Sequence, residues 1–261
     1  MGAGAWRPGV LLTVINKWID LEELRLSCRE CSIQELCLPA TLRGNDLVRL
    51  NDLLGHSDYR RGQHIFNTAE PCEALYVIRS GAVKTWVTSL NGSMQILGFQ
   101  LPGEIVGLDG LAEHHFHCSA EVMEPTRVCR LPLATLERTA NEVPALQKQL
   151  MRIISREFVL EQEHIVMMGA RPALERLALF IQTLSQRREL LGEDRYSMDL
   201  PMSRVDLGNY LALATETVSR LLARLQRLGV IELGRHHLRI LDMERLVEIS
   251  GEDLGLIRYP D

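Results

Sequence analysis

The sequence predicts an α+β protein in which a β-roll, a long helix and a C-terminal winged helix-turn-helix follow one another. Three observations support this order. The first half has short apolar runs separated by glycine turns, the middle has a long stretch with helical apolar spacing, and the last third is helical with one short extended pair. The predicted regions are a cysteine-bearing arm at 1–44, the roll at 45–141, a dimerisation helix at 142–170, the winged helix-turn-helix at 171–250 and a tail at 251–261.

Length and composition predict a globular protein. The chain has 261 residues, of which 46% are apolar, enough to bury a sizeable core. No run approaches the 18 apolar residues of a membrane span, and the N-terminal segment lacks the charged and apolar regions of a signal peptide. We therefore expect a cytoplasmic protein without a membrane partner. In that reducing compartment, clustered cysteines more often bind metal or do redox chemistry than form disulfides.

The arm concentrates cysteines in the segment LSCRECSIQELCLPAT. It holds Cys28, Cys31 and Cys37, half of the six cysteines of the chain. Three thiolates in one run, with a fourth supplied from elsewhere, suit an iron-sulfur cluster. Four cysteines also suit a tetrahedral zinc site, and the spacing alone does not separate the two.

The roll is predicted from its turns. In ALYVIRSGAVKTWVTSLNGSMQILGFQLPGEIVGLDG, the pairs SG, NG, PG and DG separate segments rich in Val, Ile, Leu and Phe. Asn91-Gly92 between two such segments predicts a β-hairpin. The region is therefore expected to form an all-β sandwich or roll.

The segment 143–170 predicts one long helix. It has Pro144 near its start and no glycine before Gly169. Its apolar stripe consists of Leu146, Leu150, Ile153, Ile154, Phe158 and Ile165. Such a stripe suits a two-fold coiled contact, and the predicted dimer interface consists of Leu150, Ile154, Phe158, Glu161 and Ile165. Two copies of Glu161 facing each other across the dyad would repel and weaken the dimer. A bound ligand could then shift the equilibrium between monomer and dimer. For Glu163, the alternative interpretation is that it simply lies on a solvated face of the helix.

Charge is distributed unevenly along the chain. The net charge is −5, but residues 171–240 hold eleven arginines and no lysine against eight acidic residues. Arginine is suited to bidentate contacts with phosphates and bases. This segment is therefore the candidate for nucleic-acid binding.

Residues 203–233 have helix-turn-helix spacing. The first helix carries Val205, Leu207 and Leu211, and a tight turn follows near Leu213. The second helix has Val218, Leu221, Leu222 and Leu225 on its buried face and leaves four residues outside at its start: Thr215, Glu216, Ser219 and Arg220. In this motif the N-terminal residues of the second helix meet base edges in the major groove of double-stranded DNA.

Two of the outward residues suit the reading of one base pair. Glu216 can accept a hydrogen bond from cytosine and Arg220 can donate two to guanine. The alternative for the pair is an ordinary ion pair within the helix. The hairpin predicted in GVIELGRHHLRI, which would serve as a wing, favours the DNA-reading interpretation.

The order of these parts resembles the Crp/Fnr transcription regulators over about residues 28–240. The C-x2-C-x5-C run, the later Cys129 in EPTRVCRLP and the segment GNYLALATETVSRLL are similar to the oxygen-responsive FNR branch. The resemblance implies a cyclic-nucleotide-binding-like jelly roll and a four-iron, four-sulfur (4Fe-4S) cluster on Cys28, Cys31, Cys37 and Cys129. It also implies a homodimeric activator that contacts RNA polymerase, and an acidic residue at the position of Glu161. Ser32 and Leu36 beside the ligands would govern oxygen access.

The same resemblance argues against a cyclic nucleotide. Relatives that bind cyclic AMP carry an Arg-Ser or Arg-Thr pair followed by Ala after a Gly-Glu pair. This chain keeps Gly103 and Glu104 but has Cys118-Ser119-Ala120. Because the cationic partner of the phosphate is missing, no cyclic nucleotide is expected.

Three features stay outside this interpretation. His115, His117 and Glu121, within and after the His114–His117 cluster, have the spacing of a cupin metal site, so a zinc- or iron-dependent cupin-like enzyme is the alternative function. Cys72, in the turn AEPCEAL, is expected to be a plain thiol. The 27 residues before Cys28 have no assigned role.

Overall fold

The computed structural model describes residue 37 and residues 54–89 and 91–251. Within these ranges the N-terminal part is a β-roll of two antiparallel sheets, ordered β1-β8-β3-β6 and β2-β7-β4-β5. The strands are β1 Gly55–Tyr59, β2 His64–Phe66, β3 Ala74–Ser80, β4 Val83–Thr88, β5 Met94–Gln100, β6 Ile105–Val106, β7 Ser119–Val122 and β8 Thr126–Pro132. The predicted roll is confirmed.

The predicted hairpin at Asn91-Gly92 joins β4 to β5. Gly92 has a φ of 81°, which a residue without Cβ adopts without strain. The Asn91 side chain accepts hydrogen bonds from the Ser93 backbone (3.1 Å) and from the Ser89 hydroxyl (2.5 Å). The turn chemistry read from the sequence therefore has its expected structural basis.

Aromatic and aliphatic side chains fill the space between the two sheets. Phe66 and Phe116 stack with ring centroids 3.7 Å apart. Ile78 and Val83 are completely buried in the same cluster, which also contains Cys72. The interior of the roll is thus packed by the chain's own side chains.

Three helices follow the roll: α1 Leu133–Glu142, α2 Pro144–Ala170 and α3 Ala173–Leu190. The break between α1 and α2 lies at Val143, which has extended backbone angles. Proline disfavours a helical conformation in the residue before it, and it suits the first turn of the next helix. Leu146 of α2 packs with Leu75 and Leu131 of the first sheet, so the start of the long helix is anchored on the roll.

The apolar stripe of the long helix is divided between two faces. Leu146 and Ile153 are buried against the roll, at 0% and 3% exposure. Phe158 and Ile165 are 64% and 68% exposed, and Met151, which the sequence analysis left out, is 60% exposed. The prediction of one stripe was wrong for Leu146 and Ile153, because the helix also has to cover the roll.

The exposed face has coiled-coil spacing. Positions 151, 154, 158, 161 and 165 alternate steps of three and four residues, as the seam positions of a coiled coil do. Ile154 is half-buried and Glu161 is exposed. Leu150 is half-buried because it packs against the cluster that holds the helix to the roll. We call residues 151, 154, 158, 161 and 165 the seam of α2.

The C-terminal domain is a winged helix-turn-helix, as predicted. It contains β9 Ser197–Asp199, α4 Arg204–Tyr210, α5 Thr215–Arg227, β10 Ile231–Leu233, β11 His237–Ile240 and α6 Met243–Ser250. The predicted wing hairpin is β10 with β11, and β9 adds a third strand that the sequence analysis did not predict. None of the described helices has the length and apolar character needed to cross a membrane.

The assignment of a buried and an exposed face to α2 can be tested by mutation. Leu146→Ala opens a cavity in a fully buried position, and we expect it to lower the free energy of unfolding by about 2–5 kcal/mol. Met151→Ala on the exposed face is the matched control and should change it by no more than about 0.5 kcal/mol. Urea unfolding of the two variants, both without metal, measures the difference. Equal losses would contradict this assignment of the faces.

Candidate functional sites

The turn of the helix-turn-helix is built from local sequence signals. Ser203 caps α4: its hydroxyl accepts from the Asp206 backbone (3.0 Å), and the Asp206 carboxylate accepts from the Ser203 backbone (3.1 Å). Gly208 lets the chain turn back closely, since a Cβ there would lie 2.7 Å from the Leu213 carbonyl oxygen. Ala212 in the turn has a φ of 49°. These contacts set the angle between α4 and α5.

Helix α5 presents the predicted DNA-reading residues to the outside. Glu216 and Arg220 are exposed, and Thr215 and Ser219 are half-buried. Val218, Leu222 and Leu225 hold the opposite face in the core, as predicted. Val205 of α4 is 64% exposed, so it does not contribute to that core.

The outward side chains are free of the ion pair that was the alternative interpretation. The Arg220 guanidinium donates to the Thr217 hydroxyl (3.3 Å) rather than to Glu216, and Ser219 accepts from Arg204 (3.3 Å). These are single, long hydrogen bonds at the surface, which contacts with DNA can replace. The geometry thus leaves Glu216 and Arg220 available for base edges.

The arginines of this domain divide into two groups. Arg176 donates to the Leu211 carbonyl (2.7 Å), and Arg187 forms a half-buried ion pair with Glu104. The exposed group lies on α4, α5 and the wing and consists of Arg204, Arg220, Arg224, Arg227, Arg235 and Arg239. Exposure makes this second group the candidate for contact with DNA, a distinction that the number of arginines alone could not give.

Cys129 lies on β8, paired across the sheet with His56 of β1 and Val77 of β3. Its Sγ is 3.5 Å from His56 Nδ1. Burial, with Arg79 and Arg127 adding, lowers the pKa of His56, so its imidazole is predominantly neutral at pH 7. His56 could not be predicted from the sequence, because its proximity to Cys129 depends on strand register.

Cys37 lies against the same apolar cluster as Cys129. Both are half-buried, and both pack on the cluster in which Leu75 and Leu131 of the roll meet Leu146 of α2. The Cys37 carbonyl also accepts from Gln149 Nε2 (3.3 Å), so the residue contacts the long helix directly. Two of the four predicted ligands thus pack on the apolar cluster shared by the roll and the helix. Cys28 and Cys31, like Ser32 and Leu36, lie outside the described residues.

The donor set at this junction fits a thiolate-ligated metal group. Two thiols on one apolar surface suit either an iron-sulfur cluster or zinc. Over the described ranges of the chain, no group of three or more His, Cys, Asp or Glu side chains could hold a metal ion.

Cys72 and Cys118 are poor ligand candidates by comparison. Both are buried in the roll. Burial, with the nearby Asp109 carboxylate adding, raises the pKa of each thiol. Metal binding requires the thiolate, which these surroundings disfavour.

Asp109 also bears on nucleotide binding. Its carboxylate accepts from the backbone N–H groups of His117 (2.8 Å) and Cys118 (3.0 Å). A negative charge therefore lies directly before the Cys118-Ser119-Ala120 segment. The sequence has no arginine in that segment that could pair with a phosphate.

The cupin-like triad does not assemble. Glu121 on β7 forms an ion pair with Lys84 (3.3 Å). His117 pairs with Glu113 (3.5 Å), and His115 Nδ1 contacts the Glu113 carbonyl oxygen (3.0 Å). Glu121 is paired with Lys84 while both histidines contact Glu113, so the enzyme alternative was wrong about a shared role for the three side chains.

Comparison with known proteins agrees with this architecture. The family described as "Cyclic nucleotide-binding domain" matches residues 56–142, and the "Crp-like helix-turn-helix domain" matches residues 175–249. The fumarate and nitrate reduction regulatory protein of Escherichia coli strain K12 is 35% identical over 227 residues, covering 87% of this chain and 91% of that protein. The chain belongs to the Crp/Fnr family. It is a DNA-binding transcription regulator and not an enzyme.

Other relatives of this Crp/Fnr regulator point the same way. The anaerobic regulatory protein of Pasteurella multocida strain Pm70 is 37% identical over 240 residues, covering 92% of this chain and 88% of that protein. Among solved structures, FixK2 from Bradyrhizobium japonicum matches with a TM-score of 0.71 and 29% identity, covering 77% of this chain and 98% of that one.

Proposed function

We propose that this Crp/Fnr regulator senses oxygen or redox state through a 4Fe-4S cluster held by Cys28, Cys31, Cys37 and Cys129. In the proposed mechanism, the cluster-loaded form dimerises and binds an FNR-type inverted repeat. The observation that carries the proposal is that Cys37 and Cys129 both pack on the apolar cluster that anchors α2 to the roll. The names of the relatives, anaerobic regulatory protein among them, agree with it.

The chain's own contacts link ligation to the long helix. When the arm is tied to Cys129, Cys37 is held against Gln149 and Leu146 of α2. Ligation thereby adds folding free energy to the arm and to the first half of the helix. The cluster supplies reactivity toward oxygen that the side chains themselves lack. Without the group, Cys37 would no longer be held in its contact with Gln149 of α2.

The seam of α2 is the proposed dimer interface. Met151, Phe158 and Ile165 leave large apolar surfaces exposed on one helix face, together with Ile154. Glu161 lies between Phe158 and Ile165 on this face, so two copies would approach each other across a two-fold axis. Partial desolvation raises the pKa of Glu161, although the residue as a whole is exposed. Closer approach of a second carboxylate would raise that pKa further and oppose the dimer.

The DNA target is assigned through α5. By similarity to the FNR branch, Arg220, Glu216 and Ser219 read the half-site TTGAT and its inverted partner ATCAA. Arg220 contacts the guanine, Glu216 accepts from the opposing cytosine, and Ser219 lies near the outer thymine methyl group. Thr215 at the helix N-terminus is assigned to the same surface.

The remaining assignments follow from this function. A regulator of this kind acts in the cytoplasm and contacts RNA polymerase as an activator. Cyclic nucleotide is not expected to bind, because Asp109 and the missing arginine disfavour a phosphate in the roll. A structural zinc on the same four cysteines is the alternative to the cluster, and it predicts a protein without visible colour.

The first test concerns the ligands. Changing Cys28, Cys31, Cys37 or Cys129 to Ser should abolish the visible absorbance of protein purified without oxygen, because a cubane cluster needs four thiolates. Ser at Cys72 or Cys118 is the matched control and should leave the absorbance unchanged, since burial keeps those thiols protonated. Loss of colour in Cys118→Ser together with its retention in Cys129→Ser would show that the fourth ligand was chosen wrongly.

The second test concerns the seam. Glu161→Ala removes the repulsion between two copies and should make the protein dimeric and able to bind DNA in air. Sedimentation in air measures the change. Glu137→Ala, at an exposed acidic residue of α1, is the control and should remain monomeric. An unchanged monomer for Glu161→Ala would remove Glu161 from the mechanism.

The third test concerns base reading. Arg220→Ala should weaken binding to the intact site by about 1–3 kcal/mol and reduce discrimination at the guanine, because bidentate pairing is lost. Titrations at one salt concentration, on the intact site and on sites changed at that base, measure this. Arg235→Ala, at the exposed tip of the wing, should instead weaken binding to all of these DNA sequences equally. Uniform weakening by Arg220→Ala would mean that Arg220 holds phosphate.

A further inference from the structure

Strand β5 lies at the edge of its sheet, beside β4. An edge strand presents backbone N–H and C=O groups that no neighbouring strand satisfies. Here the side-chain amide of Asn209, in the first helix of the helix-turn-helix, satisfies two of them. Asn209 Oδ1 accepts from the Ile96 N–H (2.6 Å), and Asn209 Nδ2 donates to the Met94 carbonyl (2.7 Å). One asparagine amide therefore takes the place of a peptide group of a further strand.

Further contacts hold the same helix to the roll. Lys84 on β4 forms an ion pair with Asp206 (3.2 Å), one turn before Asn209, and both side chains are mostly buried. Gln95 Nε2 donates to the Asn209 carbonyl (3.1 Å). The next residue, Tyr210, packs its ring on Phe99 of β5, with centroids 5.1 Å apart. Helix α4 is thus attached to the roll by hydrogen bonds, an ion pair and an aromatic contact.

The docked helix leaves the DNA-reading face open. Asp206, Asn209 and Tyr210 face the roll, whereas Glu216 and Arg220 of α5 remain exposed. The contact therefore does not block DNA. Because Gly208 brings α4 and α5 close together, the attachment of α4 to the roll also determines the direction of α5.

We propose that Asn209 is a positioning residue for DNA binding: by completing the edge of β5, its amide fixes the recognition helix relative to the roll and the dimer helix. This inference rests on the proposed dimer. Two recognition helices held at a fixed separation bind both half-sites of an inverted repeat with a smaller loss of conformational freedom than two loosely attached ones. A single half-site gains nothing from the attachment.

The test compares wild-type protein, Asn209→Ala and Lys84→Gln, all purified without oxygen. Asn67→Ala is the matched control, since the Asn67 amide bonds to Glu70 within the roll. The operator is one that the wild-type protein selects from random DNA, so that the test does not depend on the assumed half-site. Affinities are measured for the whole operator, for one half-site and for operators with the spacing changed by one base pair. Hydrogen exchange of the Ile96 amide reports the docking contact itself.

We expect Asn209→Ala to speed hydrogen exchange of the Ile96 amide. It should lower the affinity for the whole operator about tenfold and leave the affinity for one half-site unchanged. It should also reduce the difference in affinity between operators of different spacing. Lys84→Gln should show the same pattern of DNA affinities and decides the question if Asn209→Ala does not fold. Unchanged exchange at Ile96, unchanged affinity for the whole operator, or equal weakening of whole and half operators would each overturn the assignment. The wild-type protein reports separately on the proposed function: selection of a single half-site would refute the dimer and, with it, this inference.

Discussion

The apolar contact between the first sheet of the roll and the start of α2 is the interaction on which the rest of the structure depends. Leu75 and Leu131 from the strands and Leu146 and Ile153 from the helix form one buried cluster. This contact sets where the long helix leaves the roll, and the proposed dimer seam and the path to the DNA-binding domain follow from it. Cys37 and Cys129 lie on the same cluster, so a group bound by these thiols acts at the origin of the helix.

The long helix presents different parts of its surface to different environments. Its first half covers the roll, its seam is exposed, and Met167 near its end joins the core of the DNA-binding domain. The core of that domain is continuous with the roll through Ile96 and Phe99 of β5. The DNA-binding domain is therefore connected to the rest of the chain in two places, through the end of α2 and through the docked edge of β5.

Sequence patterns predicted the parts whose signals are local. The Asn91-Gly92 turn, the long helix without internal glycine and the helix-turn-helix spacing each specify their structure within a few residues, and the structure has all three. The seam was only partly predicted, because this helix has apolar residues on two faces. The sequence alone does not show that Leu146 lies on the face that meets the roll and Met151 on the exposed face. His56 beside Cys129 and Asn209 on β5 depend on contacts between residues 73 and more than 110 positions apart, which no local pattern reveals.

Metal and sulfide analysis of protein purified without oxygen decides whether the four cysteines hold an iron-sulfur cluster. We expect a coloured protein with iron and acid-labile sulfide in equal amounts, about four of each per chain. A colourless protein that contains one zinc ion per chain would contradict it.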